Sequence, residues 1–181
     1  MKEISFQLIP FAADTRLSLS TLSVTGRIRR QANRIGIEYI LFDPQALVSL
    51  PSQVKVPKRQ DGLWQETCFE LFLAHKNSPA YREFNLSPAG LWNVYRFDSY
   101  RQGMREEPGF TSLPFSIQKN SESFSVTLEF DIGKMEIADR DLAVAISVVL
   151  KTGKESITYW ALSHQGEKPD FHRRDCFVIK L

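Results

Sequence analysis

The fold is decided by residues 63–101, LWQETCFELFLAHKNSPAYREFNLSPAGLWNVYRFDSYR. Two of the three tryptophans and three of the five tyrosines lie here, with glutamates and arginines set between apolar residues. Apolar and polar positions alternate with period two, the pattern of half-buried strands. Three strands follow: Glu66 to Ala74, Tyr81 to Leu86, and Leu91 to Phe97. In the first, Phe69, Leu71 and Leu73 share one face, while Cys68, Glu70 and Phe72 share the other. Ser87-Pro88-Ala89-Gly90 is tight-turn chemistry, and a tight turn fixes the register of its hairpin. Pairing Leu86 with Leu91 sets Asn85 against Trp92, Glu83 against Val94 and Tyr81 against Arg96. Asn85, Trp92, Glu83, Tyr81 and Arg96 are then expected on one face.

That face mixes aromatic surface with charged and amide groups, a mixture suited to a sugar. A ring stacks on the apolar face of a pyranose, and planar donors and acceptors read its hydroxyls. The plainer alternative is an outer sheet face with cross-strand pairs such as Tyr81 with Arg96.

Outward from this stretch the same periodicity continues. Ile4 to Leu8, ended by Pro10, reads as an edge strand. Leu17 to Arg29 reads as one or two strands with a bulge at Gly26. Arg34 to Phe42 alternates cleanly and stops at Asp43-Pro44. Residues 44–63 form a long connection, with one helical turn expected over Gln45 to Leu50. It is long enough to be functional, and it delivers Trp64 to the central sheet. Phe110 to Gln118 and Ser123 to Phe130 read as a hairpin turning at Lys119 to Glu122. Asp131 to Asp141 is a connection with room for a helical turn. The almost unbroken apolar run Leu142 to Leu150 predicts a central strand buried on both faces. Ser156 to Ser163 and Cys176 to Leu181 supply the last strands, around a polar loop from His164 to Arg174. About ten short strands, regular turn signals and no long helix predict a single domain over residues 1–181, an all-β, two-sheet antiparallel β-sandwich.

At 181 residues, a chain can bury roughly 70% of its unfolded surface, so the core needs no staples. The net charge is +2 without a strong basic cluster, so nucleic acid is not indicated as a partner. The N-terminus MKEISFQLIPF lacks the apolar core of a signal peptide, and no apolar run approaches a membrane span. A cytoplasmic or other reducing compartment is expected. Cys68 and Cys176 have no metal-type spacing and read as small apolar residues, with a disulfide between them an open alternative.

Candidate chemistry is sparse. His164, Asp170, His172 and Asp175 cluster in sequence, but their spacing matches no metal-ligand pattern, so no metal is expected. No serine or cysteine sits in a nucleophile motif. Glu70 and Glu83 share the polar parity of neighbouring strands, and a close pair of carboxyl groups there would suit a glycan-acting enzyme. Met104 or a histidine could hold a haem at one end of the sheet. No cofactor is otherwise implied.

Three stretches, LWQETCFELFLA, EFNLSPAGLWNVYRFDSYR and YWALSHQGEKPDFHRRDCF, resemble the signature stretches of bacterial DOMON-like proteins, which are related to the family-nine carbohydrate-binding modules. The resemblance spans most of the chain from about residue 30 onward. It implies a two-sheet β-sandwich and a non-catalytic module that binds a sugar or a haem. In the sugar binders a tryptophan precedes by six residues a glutamate that hydrogen-bonds the sugar, and Trp64 and Glu70 match that spacing. A second tryptophan near the C-terminus completes an aromatic sandwich in those modules; here Phe171 or His172 stands at that position. The haem binders use a Met and His pair, which has no unambiguous equivalent in this chain. The combined reading is a small-carbohydrate or glycan-binding domain. Its expected ligand-binding residues are Trp64, Glu70, Asn85, Trp92 and Arg96, together with Asp170, Phe171, His172 and Arg173 from the polar loop.

Overall fold

A computed structural model describes residues 2–11, 21–133, 135, 137, 141–153 and 156–181. The described residues are almost entirely strand: β1 (Lys2–Pro10), β2 (Ser23–Gln31), β3 (Arg34–Phe42), β4 (Lys58–Arg59), β5 (Cys68–His75), β6 (Tyr81–Leu86), β7 (Leu91–Phe97), β8 (Arg105–Glu106), β9 (Phe115–Lys119), β10 (Ser123–Asp131), β11 (Leu142–Thr152), β12 (Ser156–Ala161) and β13 (Ile179–Lys180). Two short 3-10 turns, Leu63–Gln65 and Arg174–Cys176, are the helical pieces that bear on the site.

The strands lie on one continuous path, β4-β7-β6-β5-β11-β12-β1-β2-β3-β10-β9, with β8 on β7 and β13 on β11. The sheet is mixed, because β4 runs parallel to β7. Continuity comes from β1, which is therefore not the edge strand its sequence suggests. Lys2 to Leu8 pairs with β2, and then Ile9 and Pro10 pair with β12.

The two halves of this curled sheet face each other across a shared core. Alternation along β3 and β10 sends Ile35, Ile37, Tyr39 and Leu41, with Phe124, Val126, Leu128 and Phe130, inward. They meet Phe69, Leu71, Leu73, Phe84, Val144, Ile146 and Val148 from the other half. Tyr39 packs edge-on against Phe69, Phe69 stacks on Phe124, and Phe84 lies against Phe130. The buried Tyr39 hydroxyl is satisfied by the Glu70 carbonyl at 2.9 Å, which ties the halves together.

The backs of the two halves differ. Behind β2, β3 and β10 the surface is wet and laced with cross-strand ion pairs, Arg27 to Glu38 and Arg29 to Glu129 among them. The backs of β5, β6, β7 and β11 are buried too, beneath the polar loop and the turn that follows β7. The apolar run predicted as a doubly buried strand is β11, paired with β5 and β12. The second buried face of this half holds the candidate site.

Several local expectations change. No bulge interrupts β2, whose register runs unbroken through Gly26. A Cβ there would lie 2.0 Å from the Glu38 carbonyl oxygen and 2.5 Å from the Phe6 ring, so the glycine serves close packing. Leu17 and Leu19, and part of the connection from Asp131 to Asp141, lie outside the described residues. No helical turn forms over Gln45 to Leu50. The Asp43 carboxylate accepts the Leu47 and Val48 amides instead, and Val48 bridges to Thr152. The terminal strand shortens to Ile179–Lys180 because Arg174–Cys176 coils first. Cys68 and Cys176 are buried free thiols, not a disulfide. Among the described residues no helix is long and apolar enough to cross a membrane.

Candidate functional site

The hairpin between β6 and β7 sets the site. Gly90 takes φ 85°, its amide bonds the Ser87 carbonyl at 2.9 Å, and the Ser87 amide bonds the Leu91 carbonyl at 2.8 Å. The loop proper is therefore the three residues Pro88 to Gly90, a turn closed by a left-handed glycine. This moves the register by one residue from the sequence-based pairing. Leu86 faces Trp92, Asn85 faces Asn93, Glu83 faces Tyr95, and Tyr81 faces Phe97. A one-residue slip exchanges faces. Trp92 consequently joins the hydrophobic core beside Leu86, with the Arg59 guanidinium 4.6 Å over its ring. Arg96 goes to that side as well. Neither belongs to the binding face expected for it.

Pairing across β11, β5, β6 and β7 builds three rungs on the covered face. The first is polar: Ser147, Glu70, Asn85, Asn93. The second reads Ala145, Phe72, Glu83, Tyr95. The third reads Ala143, Ala74, Tyr81, Phe97. Glu70 and Glu83 are thus diagonal neighbours on adjacent strands, both buried. Glu70 Oε2 accepts from the Ser147 hydroxyl at 2.8 Å, and Glu83 Oε1 accepts from the Asn85 amide at 2.8 Å. Asn85 in turn accepts from the Cys68 thiol, so this predicted binding residue works from behind, holding Glu83.

Burial raises both carboxyl groups well above the usual carboxylate range. For Glu70 the nearby Glu83 charge adds to burial, and the Ser147 bond and Arg101 oppose it only in part. Burial, helped by the positive charge of Arg101, lowers His172 to about 4, so its ring is neutral. Its Nδ1 lies 2.7 Å from the Tyr81 hydroxyl, which itself accepts from the Arg101 amide at 3.2 Å. The other ring nitrogen, Nε2, lies 3.9 Å from Glu83 Oε2. The ring is clamped edge-on by Phe72, Phe97 and Tyr81, and Tyr81 stacks on Phe97 at 4.6 Å.

Two chain segments roof the face. After β7, Arg101 takes a left-handed backbone with φ 53° and reaches Asp170 at 2.9 Å. Asp170 also accepts from Tyr100 and from the His172 amide. Burial would raise the Asp170 carboxyl, but these bonds and the Arg101 charge hold it below the usual range. Asp170 thus braces the loop that carries Phe171 and His172. Arg173 faces away into an ion pair with Asp175.

What results is a cavity of about 590 Å³. Glu70 and Glu83 lie on the sheet side. Trp64, Phe97, Met104, Tyr159, Phe171 and His172 supply much of the wall, with Val149, Arg101, Pro169 and Lys168 completing it. Trp64 stands on its 3-10 turn edge-on to Tyr95, 37% exposed. Of the residues singled out from sequence, Trp64, Glu70, Phe171 and His172, with Glu83 and Met104 of the enzyme and haem alternatives, line this cavity. Asn85 and Asp170 support it, and Trp92, Arg96 and Arg173 stand elsewhere. Arg101 and Phe97 also line it without a sequence signal of their own; the three-residue loop places Phe97 beside Tyr81. Among the described residues no group of three His, Cys, Asp or Glu side chains could hold a metal ion.

No protein-family profile matches the chain, and no curated protein matches it. Solved structures do. A candidate carbohydrate-binding protein from Bacteroides uniformis superposes with a TM-score of 0.67 at 12% identity, over 97% of this chain and 84% of that one. A family 9 carbohydrate-binding module from Caldicellulosiruptor kristjanssonii, solved with glucose and with cellotriose, reaches a TM-score of 0.46 at 14% identity, over 77% of this chain and 66% or 65% of that one. The first likeness establishes a shared fold.

Proposed function

We propose that this chain is a non-catalytic carbohydrate-binding domain of the DOMON-like kind, its curled sheet acting as the two facing layers of a sandwich. The cavity carries the proposal. Its volume lies within the range of small-molecule sites, and it joins an aromatic wall to a few fixed polar groups. Trp64 and Phe171 offer ring faces for a pyranose. Glu70 Oε1 and Glu83 Oε2 take no hydrogen bond from the described residues and are open to a ligand's hydroxyls. The six-residue step from Trp64 to Glu70 gives the same pairing of ring and acceptor that the resemblance implies. Support also comes from the fold shared with a candidate carbohydrate-binding protein. Retention on an immobilised panel of mono- and oligosaccharides tests the proposal, with Trp64→Ala as the control. Binding by the parent and its loss in the variant are expected; failure of the parent to bind any saccharide refutes the reading.

A second reading is a glycan-acting enzyme. It is favoured by one observation, two buried carboxyl groups with raised proton affinity in one cavity. Release of chromophore from aryl glycosides, abolished in Glu70→Gln, would establish it over the first. Haem fits less well. Met104 and His172 do share the cavity. His172, however, spends Nδ1 on Tyr81, and its Nε2 faces Glu83. Two buried carboxyl groups would also abut an apolar macrocycle.

A further inference from the structure

We infer that the cavity selects an amino sugar, a saccharide with a free ammonium group that docks between Glu70 Oε1 and Glu83 Oε2. The inference rests on the carbohydrate reading above and narrows its ligand class.

Each carboxyl group has one oxygen engaged by the protein and one left over. Glu70 Oε2 takes the Ser147 hydroxyl and Glu83 Oε1 takes the Asn85 amide, while Glu70 Oε1 and Glu83 Oε2 are unsatisfied by described residues. Both side chains are more than nine-tenths buried, at 3% and 4% exposure, yet both border the cavity. The nearby cations are committed elsewhere or stand too far out. Arg101 is tied to Asp170, Arg82 forms a buried pair with Glu107, and Arg59 binds Asn93 and backbone carbonyls. Lys168 is exposed at the mouth, and His172 is neutral. With both carboxyl groups ionised, the sheet side of the cavity lacks a cation.

A neutral sugar could offer hydroxyl donors to the free oxygens but brings no charge that would favour the ionised pair. An ammonium group supplies charge and three donors at once. It would also sit among aromatic rings, which attract cations. The site is much larger than a lone ammonium needs, so the rest of the ligand must fill space against Trp64, Tyr159 and Phe171. A quaternary amine has no N–H donor for the two oxygens, and a slender polyamine leaves the aromatic wall unused.

Binding should also move a proton. Without ligand, the carboxyl pair retains protons near neutral pH, among Ser147, Asn85, Tyr81, the buried Cys68 thiol and Tyr95 hydroxyl, neutral His172 and the more distant Arg101. An arriving ammonium favours the fully ionised pair, so protons are released to the buffer.

Isothermal titration of the full chain at pH 6.5 tests this with glucosamine, glucose, N-acetylglucosamine and putrescine. Two buffers of different ionisation enthalpy report proton release. The expected result is glucosamine bound at least tenfold more tightly than glucose or N-acetylglucosamine, with proton release. Glu70→Gln and Glu83→Gln, checked for folding by circular dichroism, should each shrink that preference. The proton-release measurement on the parent chain needs no variant. Equal affinity for glucosamine and glucose without proton release overturns the amino-sugar inference and leaves the carbohydrate reading standing. Putrescine binding as tightly as glucosamine also overturns it. Failure of every saccharide to bind overturns both.

Discussion

Replacing Glu70 with glutamine should flatten the alkaline decline in this protein's stability. In the folded chain Glu70 and Glu83 titrate as a coupled pair, raised to about 8 and about 7 by burial and, for Glu70, by the Glu83 charge. Unfolded, both would titrate near 4.3. Above about pH 6.5 the folded state thus holds protons that the unfolded state has already lost. Stability must fall as pH rises, by about 1.4 kcal/mol per pH unit for each excess proton. Summed from about pH 6.5 to about pH 9, the pair accounts for a loss on the order of 3 kcal/mol, the larger part from Glu70, whose carboxyl is raised further. His172 has the opposite sign, since its affinity for protons is lowered to about 4. It adds stability as pH rises from about 4 to about 6.5 and contributes no slope above that. Glutamine keeps an oxygen that can accept from Ser147 and carries no titrating proton. Urea unfolding at half-unit steps from pH 6.5 to 9 should show the parent losing on the order of 2 kcal/mol more than Glu70→Gln, beyond a loss common to both chains as the buried Cys68 and Cys176 thiols resist ionisation above about pH 8. Parallel pH profiles for the two chains would refute the coupled, buried pair.

The tryptophans and one glycine separate site from scaffold. Trp64→Ala should abolish retention on the saccharide that the parent binds while changing stability by less than about 1 kcal/mol, because Trp64 is partly exposed on a short turn; an unfolding titration beside the binding assay checks both. Trp92→Ala should destabilise by about 3–5 kcal/mol, since its ring fills the core beneath Arg59. Chemical denaturation reads that loss, and a loss under 1 kcal/mol would contradict the hairpin register. Gly26→Ala should lower stability by more than about 1 kcal/mol, because the added methyl would collide with the Glu38 carbonyl and the Phe6 ring. A thermal midpoint unchanged from the parent would contradict that close packing.

Much of the strand plan is legible in the amino-acid sequence, because strand burial imposes period two and turns announce themselves. Tyr81 to Leu86 and Leu91 to Phe97 emerge with the same bounds in both readings, and the apolar run from Leu142 becomes the doubly buried β11. The faces of the hairpin are not legible by counting turn residues alone. Gly90 in a left-handed conformation shortens the loop to three residues, and that single residue decides whether Trp92 and Arg96 face a ligand or the core. Long-range pairing is hidden for a different reason. Nothing local says that Ser147 lies beside Glu70 or that β1 spans two partners, since those neighbours are set by how the whole sheet curls. The candidate site divides the same way. Trp64 and Glu70 stand out by spacing, and His172 by its loop. Arg101 gains its place from a left-handed turn that no sequence pattern marks.

The indole N–H resonances of the three tryptophans report directly on where a sugar binds. Trp64 borders the cavity, whereas Trp92 and Trp160 are buried in the core. In a ¹H–¹⁵N correlation spectrum titrated with glucosamine, and with neutral mono- and oligosaccharides, the Trp64 indole peak should move saturably while the other two hold still. Saturable movement of the Trp92 or Trp160 peak with Trp64 unmoved, or no movement of any indole peak with any saccharide, would contradict carbohydrate binding at this cavity.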